Sequence, residues 1–489
     1  MFENIIALQA RVRPNATALV TPAGPRTYGQ FDEDIERLRA HFAAHEGLVG
    51  PVAIAMGGAT DHWAAIFALA RLGMASISLA LALPLETQLQ GLGVRWLISD
   101  RAIDLPGVET LVLAPDWRAS LGPADPRRGY CAPATGPDAM ARLTLSSGST
   151  GQPKPIALSR ALIDTRLKNG LLLGRVSGSR LLALIGLDNW AGFYTPLLVW
   201  GTAGTVIFPA PESRWLDVLG VLQPDLLILA PMQLAQIVQQ LPSTFFPYRQ
   251  MQVVIAGGAI PPGLTRLARA LLTPEIFISY ASSECGFASF GHIGLASEHA
   301  GAAGFALPWS EIQAVDDDDR PVPPGITGIL RIRGEEAVSG YHLRDGAAEF
   351  KDGWFYPGDV GALTADGYVT VLGRTTEVMN CGGVKVAPLP IEDALLRCPG
   401  VLDAAAVALP RRNGFDQAFA AIVAAPDFDL KLAHNAVAPL GHDISIVRVD
   451  AIPRTPGLAK VKREEVRTLI LERLSPEQAA KIAGALKPA

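Results

Sequence analysis

The sequence predicts an α/β protein with two domains: a large N-terminal domain of mainly parallel sheets with flanking helices and a β-rich part, and a smaller α+β C-terminal domain. From about residue 50 to 280, short apolar runs alternate with helical stretches, which is typical of parallel sheets. Residues 326–372 instead combine alternating runs with tight turns, which indicates β-hairpins. We therefore place the main boundary near residue 375, which gives domains of residues 1–375 and 376–489.

Each predicted element rests on a short run of residues. Apolar runs of strand length predict strands in the first part, at residues 96–100, 110–114, 181–186, 205–209, 226–231, 252–258 and 275–280. An amphipathic stretch, Gly263–Leu272, predicts one of the intervening helices. In the last part the pattern predicts helices at 389–397 and 461–474, with strands at 404–409, 418–424 and 444–449 between them. A further helix is predicted between the second and third of these strands.

Composition excludes several classes of protein. The chain has 489 residues, of which 49% are hydrophobic and 18% charged, so it is expected to fold as a globular protein with more than one core. Its net charge of −5, without a stripe of Lys or Arg, makes nucleic acid and anionic membrane poor default partners. The four cysteines lack C-x-x-C spacing, which argues against a zinc site or a disulfide framework.

No membrane span or signal peptide is predicted. The longest apolar stretch, Trp63–Leu83, is interrupted by Arg71 and Gly73, so it is interpreted as a buried helix that leads into a strand. The N-terminal residues lack the pattern of a signal peptide. These observations predict a cytoplasmic protein.

The segment LTLSSGSTGQPK at 143–154 is the most informative in the chain. Hydroxyl side chains and glycines crowd together after a strand-like run, and Lys154 follows. Glycines let backbone N–H groups converge on an anion and hydroxyls add further donors, so the loop suits a polyphosphate. A flexible Ser/Gly linker is the alternative. A Walker-type loop is excluded because Gln152 and Pro153 separate Gly151 from the lysine.

This loop resembles the phosphate-binding loop of the adenylate-forming, or AMP-binding, superfamily, which includes acyl-CoA synthetases, adenylation domains of peptide synthetases and luciferase. Further segments resemble motifs of the same superfamily in the same order, namely AGG at 256–258, YASSE at 280–284, YPGDVG at 356–361, GR at 373–374 and IPRTPGLAKVKR at 452–463. The resemblance therefore covers most of the chain, and the motifs together are far more specific than any one alone.

The resemblance implies a role for each matching residue. The phosphates of ATP would be held by the loop residues Ser146, Ser147, Gly148, Ser149, Thr150, Gly151 and Lys154. The adenosine would be bound by Gly257, Gly258, Tyr280, Asp359 and Arg374, with Asp359 accepting hydrogen bonds from both ribose hydroxyls. Ser283 would contact the α-phosphate and Glu284 would hold Mg²⁺. Taken singly, a Gly-Gly strand end or a P-G-D turn is ordinary.

The final motif implies a catalytic lysine. Lys460 aligns with it if one residue is inserted after Pro453, and Lys462 is the rival candidate. Thr376 stands where the superfamily usually has a charged hinge residue, about which the smaller domain would rotate. The chain keeps Glu284, Asp359 and Arg374, which argues against the alternative of a non-catalytic nucleotide-binding relative.

The resemblance implies ATP-dependent activation of a carboxylic acid as acyl-AMP, with Mg²⁺, followed by transfer to the thiol of CoA or of a phosphopantetheinyl carrier protein supplied in trans. Residues expected around the acid are Asp188, Asn189, Phe193, Ala256, Ser279 and Phe287. Because this set is mostly apolar or small, an aryl or acyl acid is favoured. Asp188 keeps an amino acid as the alternative substrate. The sequence does not distinguish transfer to an amine from transfer to a thiol.

Overall fold

The computed structural model describes most of the chain, namely residues 2–122, 135–146, 154–174, 178–210, 213–242, 245–295, 301–381, 384–411, 415–454, 461–474 and 482. The helices are α1 (Ile5–Val12), α2 (Tyr28–Ala43), α3 (Ala59–Arg71), α4 (Leu85–Leu89), α5 (Trp117–Ser120), α6 (Arg160–Gly170), α7 (Trp190–Gly201), α8 (Trp215–Leu222), α9 (Pro231–Gln240), α10 (Pro262–Leu271), α11 (Pro388–Leu396), α12 (Leu430–Val437) and α13 (Arg463–Glu472).

The strands of the first half are β1 (Thr17–Thr21), β2 (Gly24–Thr27), β3 (Val52–Ala55), β4 (Ser76–Ser78), β5 (Trp96–Ser99), β6 (Glu109–Val112), β7 (Met140–Ser146), β8 (Lys154–Ser159), β9 (Arg180–Ala183), β10 (Thr205–Ile207), β11 (Leu226–Leu229) and β12 (Gln252–Ile255). Those that follow are β13 (Ile276–Ser282), β14 (Gly286–His292), β15 (Ala302–Ala306), β16 (Ser310–Val315), β17 (Gly328–Gly334), β18 (Phe350–Lys351), β19 (Trp354–Phe355), β20 (Asp359–Leu363), β21 (Tyr368–Arg374), β22 (Met379–Cys381), β23 (Val384–Val386), β24 (Val401–Pro410), β25 (Asp416–Ala424) and β26 (Ile444–Arg448).

The largest sheet changes character along its length. Its order is β18-β19-β17-β20-β21-β15-β14-β13-β12-β11-β9-β10-β1-β2, with β16 paired to β17. The run β13-β12-β11-β9-β10-β1 is parallel, whereas β14 onward is antiparallel. The later strands of the predicted α/β region and the predicted hairpin region thus belong to one sheet.

A second sheet carries the Ser/Gly segment. Its order is β6-β5-β3-β4-β7-β8, and the pairings within β6-β5-β3-β4-β7 are parallel. The stretch Trp63–Leu83 forms the end of α3 and then β4, as predicted. No helix in the described part of the chain is long and apolar enough to cross a membrane.

The C-terminal part has its own sheet, β24-β25-β26, and the hairpin β22-β23. Helices α11 and α12 pack on one side of this sheet, and α13 packs on the other. The chain enters this part through a 3₁₀ turn, Thr375–Glu377. The division at residue 375 stays a prediction.

The predicted fold class is confirmed, but several strand ends were wrong. The apolar runs 181–186, 226–231 and 252–258 end as strands at Ala183, Leu229 and Ile255. The last residues of these runs belong to the turns that leave the sheet, and most of them are half-buried or exposed. These turns form the edge at which the candidate site lies.

Candidate active site

The predicted phosphate loop connects two paired strands. Strand β7 precedes the loop and strand β8 follows it. Ser146 pairs with Lys154 in the antiparallel register of these two strands. Ser147, Gly148, Ser149, Thr150 and Gly151 lie outside the described residues. The loop therefore closes a β-hairpin, and its lysine is the first residue of the strand that leaves it.

Lys154 lies in a network of side chains that joins two distant motifs. Its ammonium group is bonded to the carboxylate of Glu349 and lies 5.1 Å from the ring centroid of Tyr341. The hydroxyl of Tyr341 donates to Oε1 of Glu284 at 3.4 Å. The predicted phosphate-binding lysine and the predicted magnesium ligand are thus brought together through a single tyrosine.

Glu284 lies on the turn between β13 and β14. Its side chain is largely buried, since the residue is 6% exposed, and Gly286 allows the turn with its φ of +66°. No group of three or more His, Cys, Asp or Glu residues is placed to hold a metal among the residues the structure describes. A single buried carboxylate fits Mg²⁺ bound partly by substrate phosphates better than a metal held by protein alone.

The predicted ribose-binding residues lie together. Asp359 and Arg374 are opposite each other in the pairing of β20 with β21, and Nε of Arg374 is 3.2 Å from Oδ1 of Asp359. The hydroxyl of Tyr280 donates to Oδ2 of the same carboxylate at 2.5 Å. Burial and the negative charge of Asp359 raise the pKa of Tyr280 well above its usual value, so the phenol stays a donor.

The Gly-Gly pair follows the end of β12. Gly257 has a φ of +80°, a conformation that favours glycine. Gly258 borders Pro231, whose ring would be 3.7 Å from a Cβ atom at that position. Ala256 is half-buried, and the hydroxyl of Ser279 donates to the carbonyl oxygen of Ile255 at 3.0 Å. The serine therefore fixes the end of β12 in this structure.

The residues predicted around the acid do not all lie in one place. Asp188 and Asn189 are half-buried in the turn before α7, and the Asn189 side chain caps this helix by accepting from the N–H of Ala191 at 2.9 Å. Phe193 is 1% exposed and stacks on Trp63 in the core, with ring centroids 5.7 Å apart. Phe287 is half-buried. In this structure Phe193 has no surface at which to meet a ligand.

The predicted catalytic lysine, Lys460, lies outside the described residues. The ends of its segment are close together, because Arg454 and Val461 form a β-bridge. Lys462 precedes α13 and its ammonium group is bonded to Glu465 at 2.7 Å on the surface. Thr376, the predicted hinge, is exposed within the 3₁₀ turn.

Two buried arginines were missed by the sequence analysis. Arg142 on β7 donates to the hydroxyls of Ser76 and Ser78 at 3.0 and 2.7 Å and to the carbonyl oxygen of Leu187 at 3.0 Å. Burial lowers the pKa of Arg142 to about 9. Arg166 on α6 is also completely buried. The only sequence signal for Arg142 is a cation within the apolar run ARLTL.

Comparisons with known proteins agree on one family. The sequence model of the family described as AMP-binding enzyme matches residues 6–342. Indoleacetate–CoA ligase from Aromatoleum aromaticum is 27% identical, over 96% of this chain and 98% of that protein. Fatty acid–[acyl-carrier-protein] ligase ScoC from Streptomyces coeruleorubidus is 27% identical, over 94% of this chain and 95% of that protein.

A solved structure extends the likeness to the fold. The crystallised o-succinylbenzoate coenzyme A synthetase (MenE) from Bacillus subtilis, in complex with ATP and magnesium ion, superposes with a TM-score of 0.79 at 21% identity. The match covers 95% of this chain and 99% of that one.

Proposed function

Because the chain belongs to the family of AMP-binding enzymes, we propose that it is an acid–thiol ligase, which activates a carboxylic acid with ATP and then passes the acyl group to a thiol. The first step forms acyl-AMP and releases pyrophosphate. The second forms a thioester and releases AMP. Two full-length relatives, one named as a CoA ligase and one as a carrier-protein ligase, support this reaction type.

The main support for the proposal is that side chains from separate motifs contact one another. The pair of Tyr280 and Asp359 and the chain from Lys154 through Tyr341 to Glu284 include residues predicted to bind different parts of ATP. Tyr280 and Glu284 lie four positions apart on one strand and its turn, so the two clusters are adjacent. One nucleotide could therefore span both clusters.

The first step needs neutralisation of charge more than a general base. A carboxylate is already ionised and can attack the α-phosphate, so no proton has to be removed. Both reactants are anions, and fixed positive groups lower the energy of a transition state in which the negative charge spreads. We propose that Lys154 binds the leaving phosphates after giving up Glu349, and that Lys460 contacts the carboxylate and the α-phosphate.

Magnesium would be held by Glu284 together with phosphate oxygens. When bound, it supplies additional positive charge to the phosphates. Tyr341 keeps the Glu284 carboxylate oriented by donating to Oε1. Burial raises the pKa of Tyr341, with the charge of Glu284 as the next cause, so its hydroxyl keeps its proton.

We propose an aryl or acyl acid as the substrate. The half-buried side chains expected around it are mostly small or apolar, such as Ala256 and Phe287. The full-length relative named for indoleacetate, an aromatic acid, supports the same choice. Asp188 remains the residue that would favour an amino acid, because a buried ammonium group needs a carboxylate partner.

The proposal is tested by ATP–pyrophosphate exchange over a panel of aryl acids, fatty acids and amino acids. Exchange that depends on an aryl or fatty acid is expected, and Glu284→Gln should reduce it strongly. Glu311→Gln is the matched control, because Glu311 is exposed and paired with Arg333 on the surface. If the panel gives no exchange above the Glu284→Gln level, the proposed function is rejected.

The acceptor is tested by supplying each acyl-adenylate with CoA, a phosphopantetheinylated carrier protein or an amine. Thioester formation with either thiol supports a ligase acting on an acceptor in trans. Amide formation alone would reject thiol transfer while leaving the adenylation step intact. Exchange with amino acids but with no aryl or fatty acid would reject the proposed substrate class.

A further inference from the structure

Arg166 is a buried cation attached to the turn that carries Glu284. It lies on α6, far from this turn in sequence, and its side chain has no exposed surface. Its guanidinium group donates to the carbonyl oxygens of Ser283 at 3.1 Å and of Glu284 at 3.3 Å. It also donates to the carbonyl oxygen of Glu336, from Nε at 3.0 Å and from Nη2 at 2.6 Å.

The groups around Arg166 hold its guanidinium plane in place. The plane lies over the ring of Trp190 at 4.6 Å, at the start of α7. The carboxylate of Glu336 accepts from the N–H of Phe287 at 3.0 Å and from the amide of Asn169 at 3.0 Å. Arg166 and Glu336 therefore contact the polypeptide on both sides of Gly286, where the turn enters β14.

These contacts are more specific than those of a residue that only fills space. Burying a cation costs free energy unless hydrogen bonds compensate, and an apolar side chain of similar size would avoid that cost. The planar fork of arginine can reach several carbonyl oxygens at fixed angles, which the single ammonium group of lysine cannot do. The arrangement thus favours a fixed backbone at residues 283 and 284.

We propose that Arg166 is a positioning residue for magnesium, which holds the Ser283–Glu284 backbone so that the Glu284 carboxylate meets the ion at the required place. This inference rests on the proposed function, in which Glu284 is the magnesium ligand. Mg²⁺ demands near-ideal octahedral geometry, so a small displacement of its single protein carboxylate weakens binding. Residues that orient a metal ligand typically change metal affinity by about 10- to 100-fold when they are replaced.

The test compares Arg166→Lys with Arg160→Lys. Arg160 is the matched control because it is a buried arginine on the same helix, but it pairs with Glu3 and does not contact the turn. The first measurement is Mn²⁺ binding by electron paramagnetic resonance in the presence of α,β-methylene-ATP, which needs no acid substrate. The second is the Mg²⁺ concentration that gives half-maximal acid-dependent pyrophosphate exchange.

Arg166→Lys should raise the Mn²⁺ dissociation constant and the half-maximal Mg²⁺ concentration by about tenfold or more, with exchange recovering in excess Mg²⁺. Arg160→Lys should change neither value. A purely structural role for Arg166 would lower stability without a selective change in metal dependence. If Arg166→Lys does not fold, Arg166→Gln takes its place in both measurements. Glutamine keeps an amide donor for the carbonyl oxygens.

A folded Arg166 variant with unchanged Mn²⁺ affinity and unchanged Mg²⁺ dependence would overturn the inference. If the wild type binds Mn²⁺ with the nucleotide analogue and Arg166→Lys weakens this binding, but no acid supports exchange, the inference stands and the proposed function fails. If the wild type binds no Mn²⁺ with the analogue, both are overturned.

Discussion

Replacing Asp359 by asparagine should weaken the use of ATP because it removes the negative charge from the proposed ribose site. Asp359 is 7% exposed, and its two carboxylate oxygens face Arg374 and the hydroxyl of Tyr280. Asparagine has nearly the same shape, but it presents an amide nitrogen where one of the oxygens stood. That nitrogen is a donor, so one of the groups that now donates to the carboxylate would lose its acceptor.

The size of the effect follows from the hydrogen bonds that change. A hydrogen bond to a charged group contributes about 1.5–3 kcal/mol, against about 0.5–1.5 kcal/mol for a neutral one. The two proposed hydrogen bonds from the ribose hydroxyls would each change from charged to neutral and lose about 1–1.5 kcal/mol, so a total loss of about 2–3 kcal/mol is expected. Since about 1.4 kcal/mol corresponds to a factor of ten, kcat/KM for ATP should fall by about 30- to 150-fold.

A comparison with 2′-deoxy-ATP isolates the contact with the ribose. In the wild type, loss of the 2′-hydroxyl should reduce kcat/KM by about 10- to 150-fold, the value of one charged hydrogen bond. In Asp359→Asn the same change in substrate should matter less, by about tenfold at most, because the remaining hydrogen bond is neutral. Acid-dependent pyrophosphate exchange with both nucleotides gives the four rate constants of this cycle.

The control is Asp366→Asn, in the turn between the two strands that carry Asp359 and Arg374. Asp366 is exposed and accepts only from a neighbouring threonine in its own turn, so its replacement should leave both nucleotides unaffected. Equal penalties for 2′-deoxy-ATP in the wild type and in Asp359→Asn would refute the assignment of Asp359 to the ribose. A loss caused by misfolding would instead appear as a changed unfolding midpoint.

Lys460→Ala should reduce acid-dependent pyrophosphate exchange by about 100-fold or more, whereas reaction of preformed acyl-adenylate with the thiol should suffer much less; Lys462→Ala should leave both nearly unchanged. The contribution of His62 to the free energy of unfolding should fall by about 3 kcal/mol between pH 6.5 and pH 4, because burial, with the charge of Arg142 as a smaller cause, lowers the pKa of His62 to about 4 in the folded state. Urea unfolding of His62→Gln should lack this component. Phe193→Leu should lower the free energy of unfolding by about 1 kcal/mol and leave KM for the acid unchanged.

Each of these three predictions would be contradicted by a specific result. If Lys462→Ala and not Lys460→Ala abolishes exchange, the alignment of the final motif is one step wrong. The direction of the His62 effect follows from proton binding. The unfolded chain protonates His62 below about pH 6.5, whereas the folded protein does so only below about pH 4. The contribution of neutral His62 to stability is therefore fully present above about pH 6.5 and is lost as the pH falls. His434→Gln, at an exposed position, should keep the wild-type pH dependence. If Phe193→Leu changes which acid is preferred, Phe193 does line the substrate pocket, as the sequence analysis expected.

The parts of the site that could be predicted from sequence are those whose chemistry is local. The short motifs AGG and YPGDVG single out Gly257 and Asp359, which the structure has shortly after β12 and at the start of β20. Strand order was not predictable in the same way. The pairing of β21 with β15, which connects the hairpins to the parallel strands, joins segments that are far apart in sequence.

The direction of side chains on α7 could not be predicted. Its residues from Gly192 to Trp200 are all buried, and a helix that is apolar all round gives no sequence signal for the face that meets a ligand. Phe193 was therefore assigned to the acid, although in the structure it packs against Trp63. Asn189 was assigned to the acid as well, and in the structure its side chain caps this helix.

The buried arginines were missed because their partners are serine hydroxyls and carbonyl oxygens, which are common along any chain. Arg142 lies over the ring of Phe193 at 4.6 Å and Arg166 over the ring of Trp190 at the same distance. One arginine connects the strand that enters the phosphate loop to the turn before α7 through Leu187, and the other connects α6 to the turn of Glu284. Both connections end on polypeptide backbone, so no pairing of charged residues in the sequence reveals them.

The position of these two cations also has an electrostatic consequence. Neither forms an ion pair with a carboxylate among the described residues, and each donates hydrogen bonds to neutral oxygens instead. The main carboxylate charges that act on them are those of Asp188 for Arg142 and of Glu336 for Arg166. In an interior of low dielectric such charges act over longer distances than on the surface. If the site holds a polyphosphate beside a carboxylate, as we propose, such a field opposes the repulsion between the two anions from within the protein.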